Sequence, residues 1–227
     1  MKKNLNGRNW LEITLDQYDQ TTIRKPKLRT EFSPSQVHNC PRAIWYYMKG
    51  YHQDPVEPNS LRRMMVGTIY HTFIQEKLQG AGVLISSEKE VTWQDPPILG
   101  HYDAILERTI DKKHILLEIK SMANPKNPNY LQYLPKKDHL IQWNLYSLMT
   151  GIDEGILFYI NKNTQTYHMF DVYRDEQIIE ETLAKLRMVK GYLDLDEERI
   201  VPYQPDENHD WCSFKLTCQR DYFVKGI

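Results

Sequence analysis

The sequence lacks the features of secreted and membrane-spanning proteins. Its 227 residues include three cysteines, an odd and sparse set that excludes a disulfide framework. No apolar run approaches the roughly 20 residues that cross a bilayer, and residues 1–8 lack the apolar stretch of a secretory signal. We therefore expect a cytoplasmic protein with reduced thiols and no membrane partner.

An excess of charge of either sign is missing as well. Lys and Arg number 29 against 30 Asp and Glu, so the formal net charge is −1. Global electrostatics therefore select neither nucleic acid nor membrane, and any DNA-binding surface must arise from local segregation of charge. With 41% hydrophobic residues, the chain can bury the core of one large domain.

Local patterns divide the chain into three predicted parts. Residues 1–32 form a polar, basic arm, for which we expect solvated or loosely docked chain. Residues 33–193 carry the predicted core, and residues 194–227 form an irregular polar tail. Caps and periodicity predict helices that begin at Ser33 and Ser60, and helices over 138–150 and 175–193. Extended runs predict strands over 84–93, 100–109, 113–121, 155–161 and 166–173. Short links between the first three runs favour an antiparallel meander.

An acid and an amine share one face of the third predicted strand. Alternate residues of a strand point the same way, so Glu118 and Lys120 lie together while Leu117 and Ile119 face the core. A tight hairpin can bring Asp103, on the preceding strand, beside Glu118. Two adjacent carboxylates repel, and a hard divalent cation with oxygen ligands relieves this repulsion. An exposed ion pair is the alternative interpretation of Glu118 and Lys120 alone.

Such a group suits phosphodiester hydrolysis, because a metal ion stabilises charge on the phosphate and a nearby lysine helps to orient or deprotonate water. Two helical motifs flank the strands. His71 stands four residues after Gly67, and Gln142 and Tyr146 share one helical face. Taken singly, His71 and Tyr146 are typical of partly buried packing residues.

In this order, the motifs G-x-x-x-H, G-x-x-D, E-x-K and Q-x-x-x-Y resemble the PD-(D/E)XK nuclease superfamily, and specifically its RecB-like branch, over about residues 38–162. The resemblance implies an α/β, restriction-endonuclease-like core with a mixed central sheet flanked by helices. The implied ligands of a Mg²⁺ or Mn²⁺ ion are His71, Asp103, Glu118 and the backbone carbonyl of Ile119. The implied catalytic residues are Asp103, Glu118, Lys120, Gln142 and Tyr146.

The cysteines suggest a second metal site. Cys212 and Cys218 lie in the polar tail, where thiolates more often bind zinc or an iron–sulfur cluster than fill a core. RecB-like nucleases that hold a cluster resemble this chain here too, with one cysteine before the core, matched by Cys40, and a C-x2-C-x5-C set after it. His209 stands where the first cysteine of that set would be. The resemblance favours a 4Fe-4S cluster, with Zn²⁺ as the alternative for a Cys3His set; either would clamp the tail to the N-terminal helix.

The resemblance implies a metal-dependent deoxyribonuclease, an exonuclease on single-stranded or end-exposed DNA. Recombination, repair and CRISPR-type DNA processing, with their protein partners, are the implied settings. The basic segments 2–29 and 126–137 are the available phosphate contacts. The aromatic residues that could stack on bases, or equally serve as core or loop anchors, are Tyr130, Tyr133 and Trp143. The rival hypothesis is a non-catalytic DNA-binding or scaffold subunit that keeps the nuclease fold.

Overall fold

A computed structural model describes residues 8–23, 25–123, 129–195, 200–202 and 212–225. The helices are α1 (Trp10–Thr21), α2 (Pro41–Met48), α3 (Pro58–Gly80), α4 (Lys137–Thr150), α5 (Glu176–Leu193) and α6 (Lys215–Lys225). The strands are β1 (Leu84–Ser87), β2 (Glu90–Trp93), β3 (Ile98–His101), β4 (Ala104–Glu107), β5 (His114–Met122), β6 (Glu154–Asn161) and β7 (Tyr167–Tyr173). Short 3-10 helices cover Pro34–Gln36 and Tyr130–Tyr133. None of the helices described is both long and apolar enough to cross a bilayer.

The central sheet is mixed, as predicted. Five strands lie in the order β1-β4-β5-β6-β7, and β5 runs parallel to β6 while the other neighbours are antiparallel. Parallel neighbours need a long crossover, which α4 supplies between β5 and β6. The central strand β5 is therefore covered on both faces, and residues 115–119 are all buried.

The predicted meander of the first three extended runs is wrong in one respect. Strands β2 and β3 pair with each other in a separate two-stranded sheet, and β1 pairs with β4. The chain leaves β1 through Glu88, whose positive φ of 51° turns it out of the main sheet. Composition alone predicts extended segments but not which of them pair.

Helices α4 and α5 follow the sequence prediction closely. Helix α4 ends at Gly151, which adopts the left-handed conformation with φ 70°. The side chain of Asp175 caps α5 by accepting hydrogen bonds from the backbone N–H groups of Gln177 and Ile178. The apolar face of α5, with Ile179, Leu183 and Leu186, is buried in a core cluster that also includes residues of α2.

The N-terminal arm contains a helix that the sequence analysis does not predict. Asn9 caps α1, and its side chain accepts a hydrogen bond from the N–H of Leu11. Arg62 of α3 lies 2.5 Å from Asp16 and 3.5 Å from Asp19, so ion pairs dock α1 on α3. Of the two states expected for the arm, solvated or loosely docked, α1 adopts the docked one, and its acidic side chains make the contacts.

The tail also departs from the prediction of irregular chain, since it contains α6. Phe214 and Cys218 are buried in the same cluster as α2. The hydroxyl of Tyr46 donates to Asp221 at 2.8 Å, and both side chains are fully buried. Apolar burial and this hydrogen bond together hold the tail against α2.

Trp143 of α4 packs directly on β6 at Gly155. A Cβ atom at Gly155 would lie 2.5 Å from Trp143 Cζ2 and would collide with the carbonyl oxygen of Leu116. We expect Gly155→Ala to lower the free energy of unfolding by about 3 kcal/mol or more, because neither neighbour can give way. Denaturant unfolding measures this, with Gly191→Ala in α5, where a Cβ meets nothing within 4 Å, as a control expected to stabilise by about 0.5–1 kcal/mol. Equal stability of the two variants would contradict the packing described.

Candidate active site

The hairpin of β4 and β5 brings Asp103 to the middle of β5. Ala104 faces Leu117 across this pair, so Asp103, immediately before β4, stands opposite Glu118. Asp103 is 7% exposed, and its Oδ2 atom accepts a hydrogen bond of 2.6 Å from the backbone N–H of Ile119. This bond fixes the orientation of the carboxylate at the predicted position.

Helix α3 brings His71 to the same point. The Nδ1 atom of His71 lies 3.1 Å from Oδ1 of Asp103. Gly67, one turn earlier, lies close to β5, because a Cβ on it would be 3.4 Å from the hydroxyl oxygen of Ser121. This distance is ordinary van der Waals contact, so Gly67 marks the point where α3 lies on the strand.

Lys120 connects the strand part of the site, on β5, with the helix part, on α4. Its Nζ atom donates to Oε1 of Glu118 at 2.6 Å and to Oε1 of Gln142, on α4, at 3.0 Å. The side chains of Lys120 and Glu118 are 20% and 2% exposed. Because α4 covers this face of the sheet, the alternative of an exposed surface ion pair does not describe the pair.

Tyr146 lies one turn after Gln142 and closes the site from α4. Its hydroxyl lies near the side chain of Gln142 and the backbone of His101. A Cβ on Gly100 would lie 2.9 Å from the Tyr146 ring and 2.8 Å from Pro34. The glycine of the G-x-x-D motif is thus required for close packing against Tyr146.

Burial and mutual repulsion dominate the electrostatics. Desolvation, and then the negative charge of Asp103, raise the pKa of Glu118 to about 7. Burial opposes the charge on Lys120, but Glu118 and Asp103 outweigh it and raise the pKa of the amine. Burial likewise opposes the charge on His71, and the hydrogen bond to Asp103 leaves its pKa raised.

One acidic residue of the site escaped the sequence analysis. His71, Glu88 and Asp103 each offer a ligand atom within 4.8 Å of the others, a grouping that does not include Glu118. Gln75 on α3 holds the arrangement together, because its Nε2 atom donates to Oε1 of Glu88 at 2.8 Å and to the carbonyl of Asp103 at 2.9 Å. Glu88 stands in a polar turn, and no motif marks it.

The three cysteines belong to one core cluster: Cys218 is buried within it, and Cys40 and Cys212 are partly buried residues that pack against it. None of them is in a disulfide. Each sulfur accepts a hydrogen bond from an N–H group. The donors are the backbone of Ala43 to Cys40 at 3.3 Å, the backbone of Phe214 to Cys212 at 3.4 Å, and the Arg42 side chain to Cys218 at 3.6 Å. His209, the fourth predicted ligand, lies outside the described residues.

Two of the three aromatic residues proposed to stack on bases remain accessible. Trp143 is fully buried, and its indole N–H donates to the carbonyl of Leu116 at 3.2 Å. The stacking prediction for Trp143 is therefore wrong, since the helical pattern does not reveal which face of α4 meets the sheet. Tyr133 is 68% exposed and Tyr130 is half-buried.

Solved structures share this fold, whereas no protein-family model and no curated protein matches the sequence. The crystal structure of SSO0001 is 18% identical over 92% of this chain and 95% of its own, with a TM-score of 0.60. The phage-related exonuclease from Haemophilus somnus 129PT is 13% identical over 73% and 94%, with a TM-score of 0.53.

A third match is LHK-Exo, an alkaline exonuclease from Laribacter hongkongensis. In complex with dAMP it is 15% identical over 73% of this chain and 90% of its own, with a TM-score of 0.50. At these identities the likeness establishes the fold: a central mixed sheet flanked by helices, shared with exonucleases.

The raised pKa of Glu118 predicts a pH-dependent stability in EDTA. The folded protein keeps a proton on Glu118 that the unfolded chain, with its ordinary pKa of 4.5, releases earlier. This contribution is therefore full below pH 4.5 and is lost as the pH rises through about 7. Over this pH range the free energy of unfolding of the wild type should fall by an amount on the order of 1–3 kcal/mol because of Glu118. Glu118→Gln should not show this fall.

Denaturant unfolding between pH 4 and pH 8 measures this effect. Glu76→Gln, which changes an exposed carboxylate of α3, is the matched control and should follow the wild type. Parallel profiles for the wild type and Glu118→Gln would show that Glu118 is not buried as described.

Proposed function

We propose that the protein is a metal-dependent deoxyribonuclease, an exonuclease on single-stranded or end-exposed DNA. The observation that carries this proposal is the convergence of Asp103, Glu118 and Lys120 on the buried centre of the sheet. Two neighbours with the same fold are exonucleases by name, and one was solved with dAMP.

The donor set fits a hard divalent cation. The ligands we propose are His71, Asp103, Glu118 and the carbonyl of Ile119, and we add Glu88 because it lies within reach of His71 and Asp103. Carboxylate oxygens with one imidazole suit Mg²⁺ or Mn²⁺. A cation bound there would supply positive charge to the scissile phosphate and a water of lowered pKa.

The remaining groups would position the substrate and the water. Lys120 carries its charge beside the metal ligands, and the carbonyl of the Gln142 side chain holds its amine in place. A phosphate oxygen near this amine gains stabilisation as negative charge builds up during hydrolysis. The Tyr146 hydroxyl lies near Gln142, and we propose positioning roles for these two residues of α4.

A non-catalytic scaffold that keeps the nuclease fold is the rival. Burying two carboxylates side by side is costly, as the raised pKa of Glu118 reflects. A scaffold gains nothing from that cost, whereas a cation site uses both charges. The two buried carboxylates, Asp103 and Glu118, therefore favour a catalytic protein over a non-catalytic scaffold.

For the second site we propose a 4Fe-4S cluster on Cys40, Cys212, Cys218 and His209. The N–H···S hydrogen bonds to the three sulfurs support thiolate ligation. Hydrogen bonds to sulfur stabilise its negative charge and tune the reduction potential of such clusters. When bound, the cluster would join α2 to the tail, with zinc as the alternative metal. As cellular settings we propose recombination, repair or CRISPR-type DNA processing, with partners from those pathways.

Removing the charged groups should stop cleavage. We expect Asp103→Asn to abolish hydrolysis of labelled single-stranded DNA in Mn²⁺ and Lys120→Ala to slow it at least about a hundredfold, because each removes charge placed for the phosphate. Lys113→Ala is the matched control and should cleave normally, because Lys113 is exposed and lies just before β5, at the end of the strand away from the site.

Metal binding gives a second readout of the same site. Mn²⁺ should raise the melting temperature of the wild type and of Lys120→Ala but not that of Asp103→Asn. Undiminished cleavage by folded Asp103→Asn would overturn the site assignment, and a wild type without cleavage in Mn²⁺ or Mg²⁺ would favour the scaffold.

The tail site is tested by metal content. Anaerobically purified protein should be brown and contain iron and sulfide, while Cys40→Ser and Cys218→Ser should lose both, since binding needs the assembled ligands. Ser213→Ala, beside Cys212, is the control and should keep the colour. Colourless protein with one zinc would establish the alternative metal, and protein without any metal would refute the site.

A further inference from the structure

A cavity adjoins the candidate active site at the C-terminal end of β5. Its volume is about 490 Å³, within the range of about 300–1,000 Å³ typical of small-molecule sites. Lys120 lines the cavity and also donates to Glu118, so the cavity opens directly beside the proposed cleavage centre. A ligand inside it would lie next to the scissile phosphate.

The lining suits an anionic aromatic ligand. Among the described residues it combines aromatic rings and cationic side chains and includes no carboxylate. The residues that give it this character are Lys120, Lys136, Tyr130, Tyr133, Tyr159 and His139. Tyrosine faces stack on nucleobases, and lysines attract phosphate.

The polar floor of the cavity is held in place. The hydroxyl of Tyr159 lies 2.7 Å from Nδ1 of His139 and accepts a hydrogen bond of 3.2 Å from the backbone N–H of Lys136. Burial, together with the charges of Lys120 and Lys136, lowers the pKa of His139 to about 3. A neutral histidine whose Nδ1 is engaged leaves Nε2 as the ring nitrogen that can contact a ligand.

The rim of the cavity differs from its floor. Asn161 donates to the hydroxyl of Tyr130 at 3.2 Å, which fixes that ring at the edge. Tyr133, at the end of the same 3-10 helix, is 68% exposed, and a large aromatic side chain beside a cavity gains from a stacking partner.

We propose that this cavity takes the unpaired base of the nucleotide next to the scissile phosphate, with Tyr133 stacked on that base. The proposal rests on the proposed nuclease function and adds the substrate class. A cavity this size holds one nucleoside but no duplex, whose major groove alone is about 12 Å wide. The nucleotide that enters the cavity is therefore unpaired, and the enzyme reads it by the presence of a base and not by its sequence.

The proposal is tested by removing a base from the DNA strand and, in parallel, removing the aromatic ring of Tyr133 from the protein. The probes are a fluorescein-labelled strand of six thymidylates and a set of the same strand with one abasic nucleotide at each position in turn. Binding is measured by fluorescence anisotropy in EDTA, so that no cleavage is required. For the wild type, one abasic position should weaken binding at least about fivefold, the lower end of base–aromatic stacking.

Tyr133→Ala should bind the intact strand about fivefold more weakly and lose the discrimination against the abasic strand, whereas Tyr133→Phe should keep both. The matched control is Tyr173→Ala. Tyr173 is 67% exposed and pairs with Glu154, at the opposite end of β6 from Tyr159, so its variant should behave as the wild type.

Three results would overturn the proposal: no binding by the wild type, equal binding of every abasic strand, or unchanged discrimination by Tyr133→Ala. Failure of the proposed nuclease function would give a different result. The wild-type protein would then discriminate between intact and abasic strands in EDTA but would cleave no DNA in Mn²⁺. That result would leave the base cavity established on a non-catalytic DNA-binding protein.

Discussion

The hydrogen bond from the Ile119 backbone to Asp103 is the constraint on which the site depends. It joins the carboxylate of Asp103, which lies in the chain between β3 and β4, to the buried central strand β5. The other oxygen of that carboxylate contacts His71 of α3. One side chain thus registers the hairpin, the central strand and the long helix against one another. Because Asp103 and Glu118 are buried, each carboxylate needs a partner, and His71 and Lys120 are those partners.

The rest of the fold serves to keep this centre buried. Helix α4 crosses between the parallel strands, and Trp143 fills the space over Gly155 while Gln142 reaches Lys120. On the far side, the tail and α2 share a core that contains the cysteines. The charged centre and the cysteines are therefore separate, and the cluster that contains the cysteines also includes residues of α2 and α4.

Local rules predicted the parts of the site that depend on local geometry. The two-residue period of a strand places Glu118 beside Lys120, and the turn of a helix places Gln142 beside Tyr146, wherever these elements pack. Long-range pairing follows no such rule. Glu88 joins the site because a left-handed turn carries β2 away from the main sheet, and Trp143 is buried because α4 turns that face inward. Helices α1 and α6 escaped notice because polar residues that dock through ion pairs and hydrogen bonds look like solvated chain in a sequence.

The central claim is that His71, Asp103 and Glu118 share one divalent cation. A crystal structure of the protein soaked in Mn²⁺, with data collected at the manganese absorption edge, tests it most directly. The account predicts one strong anomalous peak within ligand distance of these three side chains, with Lys120 outside the coordination shell. A peak elsewhere, or none among these residues while Lys120 stays bound to Glu118, would contradict it.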